Sequence, residues 1–106
     1  MTLLEFELQV FATATASPIC RIPVVRRLTA TSINLRIGVT TGGFIDAFYN
    51  EQSCTTAFAL IRRGQRVFGA DNTGGWHVHP FADPTRHDPL PREMSFAEFV
   101  AEIERH

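Results

Sequence analysis

Between residues 33 and 70 the chain runs through short strand-like stretches separated by turn residues, and the first of them alternates cleanly. Ile33, Leu35, Ile37 and Val39 alternate with Asn34, Arg36, Gly38 and Thr40, the period of a strand with one buried face. Thr41-Gly42-Gly43 follows, and these residues tolerate the positive φ of a hairpin turn. Residues 44–49 predict the next strand, turned by Asn50-Glu51-Gln52-Ser53. Residues 55–61 and 66–70 predict two more, joined by Arg62-Arg63-Gly64-Gln65. Upstream, residues 19–29 are rich in β-branched side chains, and Pro23 confines them to an edge strand or a strand with a break. Connections this short join antiparallel neighbours, so the strands form a meander.

Helices are expected at both ends. Leu4, Phe6, Leu8 and Val10 alternate as a strand would, yet Leu4, Leu8, Phe11 and Ala12 keep helical spacing. Thr2 and Glu5 stand at capping-box spacing and Pro18 closes the segment, which decides for a helix over 3–16. Ser95 and Glu98 repeat that box before the apolar stripe Phe96, Phe99, Val100 and Ile103. Pro80, Pro84, Pro89 and Pro91 argue against regular structure in the stretch before it. The expected fold is therefore α+β: an antiparallel meander of about five strands, with an N-terminal and a C-terminal helix packed on one face. Its 106 residues suit a single domain over 1–106.

Composition excludes several classes. A hydrophobic share of 44% with nine Phe argues against disorder. Cys20 and Cys54 make neither a disulfide framework nor a CxxC pair. No apolar run is long enough to span a bilayer, and the N-terminus carries Glu5 and Glu7 without a basic leader, so a soluble cytoplasmic protein is expected. The net charge of −1 rules out a uniformly basic surface. All ten basic residues are Arg, and seven of them (Arg21, Arg26, Arg27, Arg36, Arg62, Arg63, Arg66) precede residue 67, while Glu93, Glu98, Glu102 and Glu104 follow Pro91. A basic sheet face beside an acidic terminal helix is expected.

Chemistry concentrates between Gly69 and Pro80, which includes Asp71, Asn72, Trp76, His77 and His79. In an extended chain His77 and His79 project from one face, with backbones about 7 Å apart. Three uses fit that pair. One is metal-independent acid–base catalysis, with Arg66 or Arg86 as the cation for a phosphate. A second is a metal site, with Asp71 or His87 as further ligand. The third is structural, both rings hydrogen-bonding within a Gly-rich loop while Trp76 fills the core. Elsewhere, Asp71-Asn72 suits an Asx turn, Glu51 after Tyr49 is placed to orient a His, and Asp46 is expected at the solvent face.

Several segments carry a family likeness. Phe-Ile-Asp-Ala-Phe-Tyr-Asn-Glu (44–51), Ala-Phe-Ala-Leu-Ile (57–61), Arg-Val-Phe-Gly-Ala-Asp-Asn (66–72) and Gly-Trp-His-Val-His-Pro (75–80) resemble the TumE-like family of small prokaryotic proteins, assigned as the toxin half of toxin–antitoxin pairs. The shared pattern is a strand ending in Asp71-Asn72, a loop with Gly74, then His77-x-His79, then the helix start Ser95-Phe96. Trp76 directly before the pair and His87 in the Pro-rich tail depart from it and suggest a separate branch. The resemblance implies a cytosolic toxin-like protein neutralised by an antitoxin encoded beside it, with RNA as a target. On the residues themselves, the expectation is a metal-independent ribonuclease that needs no cofactor. His77 and His79 serve as acid and base, Asp71 orients one of them, and Arg66 holds the phosphate. Asn72, Trp76, Tyr49 and His87 complete the expected substrate contacts. Unpaired edge strands in so short a chain predict a homodimer. The alternatives are a non-catalytic homodimeric binding protein and a metal-binding protein built on the same His pair.

Overall fold

Along β2 (Ser32–Gly38) and β3 (Phe44–Asn50) every second residue is buried, and the same alternation fills β4 (Thr55–Arg62) up to Leu60. The computed structural model, which describes residues Met1–His106, shows what that alternation separates. The buried set points to two helices, α1 (Leu3–Ala16) and α2 (Phe96–Glu104), and the other set forms a face that no helix covers. β1 (Val24–Leu28), β5 (Gln65–Asp71), β6 (His77–His79) and β7 (Asp88–Pro89) complete a sheet in which every strand pairs antiparallel with its sequence neighbour. The fold is thus the expected α+β meander with a helix from each terminus on one face.

Two features differ from the sequence reading. The meander has seven strands, because β6 and β7 form in a stretch expected to be loop. Val78 pairs with Asp88 and His77 with Pro89, and Pro89 is tolerated there because β7 is an edge strand that needs no outward N–H. In α1 the buried residues are Phe6, Val10 and Ala14, while Leu4 and Leu8 stay exposed. The aromatic core sets that rotation: the Phe6 ring stacks on Tyr49 at 5.2 Å and faces Phe58 at 6.3 Å. Pro23 does interrupt the chain before β1, and β1 itself is exposed throughout.

The core is a cluster of 18 buried side chains between the sheet and the two helices. Phe99, on α2, packs against Phe58 at 5.4 Å and Phe68 at 4.9 Å. Both capping boxes are made: Thr2 with Glu5, and Ser95 with Glu98. No helix is long and apolar enough to cross a membrane.

Two outcomes follow from this packing. Phe99→Ala empties the centre of the core and is expected to cost about 3–5 kcal/mol in urea denaturation. Glu98 is held down to about 2 by Arg92, whose guanidinium grips both carboxylate oxygens, and by the Ser95 amide. A carboxyl depressed in the folded state stabilises fully above its ordinary value near 4.5, and that contribution is lost as pH falls toward 2. Thermal denaturation of Glu98→Gln across that window should show a shallower acid decline than the wild-type chain.

Candidate functional site

The pairing of β5 with β6 sets Asp71 opposite His77 and Gly69 opposite His79. Strand alternation then sends Ala70 to the core and leaves Asp71, His77 and His79 on the helix-free face. There the three side chains meet. Asp71 Oδ2 lies 3.3 Å from His77 Nε2 and 3.2 Å from His79 Nε2. The other carboxylate oxygen accepts the Thr73 amide at 3.0 Å, so the expected Asx turn is present and aims the carboxylate. Burial pushes the Asp71 carboxyl up, but the Thr73 amide and the two imidazoles outweigh it and hold it below its ordinary value.

Both rings are fixed from behind. His77 Nδ1 lies 2.9 Å from the Gly75 carbonyl, and His79 Nδ1 lies 3.0 Å from the Arg86 carbonyl. A carbonyl can only accept, so each Nδ1 carries its hydrogen and donates it. In the neutral ring the hydrogen-free Nε2 then faces Asp71, lone pairs toward lone pairs. Such a junction is favourable only with a positive species between the groups, either a proton on a ring or a bound cation. His87 completes the group: its ring lies 4.9 Å from that of His77 and 4.5 Å from that of His79. One ligand atom from each of the three histidines falls within 4.8 Å of the others. His79 is buried, with 3% of its side chain exposed, His77 retains 12%, and His87 is open to solvent.

Arg66 lies at the rim. Its aliphatic stem runs over Gly69 beside the His79 ring, and its guanidinium donates to the Pro84 carbonyl at 3.0 Å. Arg86, the other candidate cation, is instead engaged with both oxygens of Asp88. Gly69 stands outside the expected set of site residues. A Cβ there would stand 3.0 Å from Arg66 Cδ, 3.2 Å from the Phe58 carbonyl oxygen and 3.4 Å from His79 Cδ2. The bare backbone leaves space for the His79 ring to lie down on the sheet. A Gly inside an otherwise regular strand is the sequence signal for this close approach.

The remaining expected substrate contacts lie elsewhere. Tyr49 is in the core, and its hydroxyl donates to the Met1 carbonyl at 2.8 Å. Asn72 ties two strand ends together, accepting from the Thr56 amide at 2.9 Å and donating to the Cys54 carbonyl at 2.7 Å. Trp76 packs on the helix side of the sheet and lines a cavity with Phe6, Phe58 and Phe96. Neighbours in a strand face opposite ways, so the residue before His77 turns from the site. Glu51 orients no histidine; it accepts the Leu3 amide at the start of α1. Of that group only His87 joins the cluster. Comparison with family models, curated proteins and solved structures finds no match to this chain.

The site separates scaffold from solvent-side chemistry residue by residue. His79→Ala removes a buried ring whose Nδ1 donates to the Arg86 carbonyl and is expected to cost about 2–3 kcal/mol by urea denaturation. His87→Ala, on the exposed turn, should stay within about 0.5 kcal/mol.

Proposed function

We propose that this chain binds one divalent d-block ion, of which zinc fits best, and uses it to activate water for hydrolysis. The ligands are His77 Nε2, His79 Nε2 and Asp71 Oδ2, with His87 on the solvent side. One observation carries the reading. Each Nε2 stands 3.2–3.3 Å from Asp71 Oδ2. A tetrahedral ion with bonds of about 2.0–2.1 Å has ligand–ligand edges of about 3.3–3.4 Å. The Nδ1 donors to the Gly75 and Arg86 carbonyls are also the usual means by which a metal-bound histidine is oriented.

A catalytic ion accounts for the site better than a structural one. Small domains recruit structural zinc where their core is insufficient, but here 18 buried side chains form a core on the opposite face of the sheet. With His87 exposed, the coordination sphere is reachable from solvent. The chemistry a bound ion supplies is a hydroxide-like water near neutral pH. The protein's part is to fix the two imidazoles and the carboxylate, and to offer the Arg66 guanidinium at the rim to an anionic substrate.

This reading is preferred to a metal-free acid–base pair because His79 is buried, with Nδ1 held by the Arg86 carbonyl and Nε2 turned to Asp71 rather than to solvent. A toxin-like role, RNA as the substrate and an antitoxin partner enter through the resemblance, which covers roughly residues 33–104, and they belong to this proposal.

Purified protein should retain about one zinc per chain, and cobalt substitution should give the visible absorption of a tetrahedral site. Asp71→Ala and His77→Ala should each weaken metal binding by at least about tenfold. RNA cleavage should disappear in chelator and return with zinc. Cleavage that persists in chelator, from protein with no cobalt absorption, would restore the metal-free pair instead.

A further inference from the structure

The helix-free face carries more than the histidine cluster. Strand registers link one residue from each strand into a single row: Arg27, Asn34, Phe48, Ala57, Asp71, His77 and Pro89. All are on the same face, because directly paired residues of neighbouring strands point the same way. At one end of the row lies a groove of about 360 Å³, lined by Arg27, Thr29, Ser32, Asn34 and Phe48. At the other end are Asp71 and His77. Ala57 is the only side chain between Phe48 and Asp71, so the path between them is low. Strands lie about 4.8 Å apart, which puts Phe48 about 10 Å from Asp71 along the row.

The groove has the composition of a nucleotide site. Phe48 offers a partly exposed aromatic face on an antiparallel sheet. Asn34 supplies an amide donor and acceptor beside it, and the Thr29 and Ser32 hydroxyls, bonded to each other at 2.8 Å, form its edge. Arg27 stands at its margin and takes part in none of the chain's ion pairs. In the adjacent row Arg36 lies over the Phe44 ring at 3.9 Å, and its Nε is buried without a hydrogen-bond partner. The face thus carries Arg27, Arg36 and Arg66 against Asp46 and Asp71, and Asp71 is occupied by imidazoles. The acidic residues of α1 and α2 belong to the helices on the other face of the sheet.

We propose that this face binds single-stranded RNA, with a base stacked on Phe48, a phosphate at Arg27, and the strand running along the row to Asp71 and His77. Aromatic side chains on an open antiparallel sheet stack bases, guanidinium groups neutralise the backbone, and neighbouring polar groups read base edges and the 2′-hydroxyl. Duplex RNA is excluded as ligand because its bases are already stacked on one another. The inference rests on the hydrolytic reading for its direction, since it takes the metal centre as the place the strand must reach.

Fluorescence anisotropy with a labelled 12-nucleotide RNA of mixed sequence tests it, alongside the same sequence as DNA, as duplex RNA, and with polyglutamate as competitor. Phe48→Leu should weaken binding of the single-stranded RNA by at least about fivefold, the low end of the stacking range. Arg27→Ala should weaken it and reduce the slope of log affinity against log salt by about one. Cobalt absorption and the thermal midpoint of both variants should match the wild-type chain. Unchanged affinity in Phe48→Leu, equal binding of duplex RNA or DNA, or effective competition by polyglutamate overturns the proposal. If the wild-type chain binds RNA through Phe48 yet gives no cobalt absorption, the metal reading fails and the RNA face stands. Cobalt binding without RNA binding leaves the metal centre standing and overturns the RNA face.

Discussion

The antiparallel pairing of β5 with β6 is the contact on which the site depends. It sets Gly69 under His79 and Asp71 beside His77, so one carboxylate oxygen serves two imidazoles. A slip of one residue in that pairing would turn both histidines toward the helices and bring Val78 out to solvent. The register is protected because Val78, between the two histidines, packs against the core opposite Ala70 and has no place on the open face. Core packing therefore holds the register of a site to which it contributes no chemical group.

The two faces of the sheet divide the work. Between the sheet and its helices, Phe6, Phe58, Phe68 and Phe99 interlock, and most of the folding free energy comes from there. The opposite face is held by the same backbone ladder but has no helix above it, and the 80–87 turn covers it only at the His79 end. Polar and aromatic groups on that side are free to meet a ligand, because stability does not require them to be covered. Asp71, His77 and His79 combine polar chemistry with partial burial, which strengthens the electrostatic coupling among them.

That coupling bears on the choice between proton and metal. Two imidazoles with Nδ1 tied to carbonyls and Nε2 aimed at one carboxylate make a convergent set of lone pairs. A proton can satisfy one such contact at a time, whereas an ion of zinc's size satisfies all of them together. The exposed ring of His87 adds a donor on the solvent side, where a proton shared between Asp71 and one ring would need none.

Local signals in the sequence suffice for the elements and their faces. Period-two alternation in residues 33–40, the boxes at Thr2/Glu5 and Ser95/Glu98, and the break at Pro23 all act over a few residues, and each is present in the fold. The meeting of Asp71 with His77 and His79 is legible in the same way, since a turn between two short strands returns the chain beside itself. The rest depends on how the chain closes in three dimensions. His87 joins the cluster only because the turn over 80–87 folds back along β6. The Arg86 carbonyl fixes the hydrogen on His79, Asn72 is engaged with Thr56 and Cys54, and Tyr49 is engaged with Met1. The physical reason is range: periodicity and capping act over a few residues of backbone, while a side chain's partner depends on which distant segment closure brings within hydrogen-bond reach.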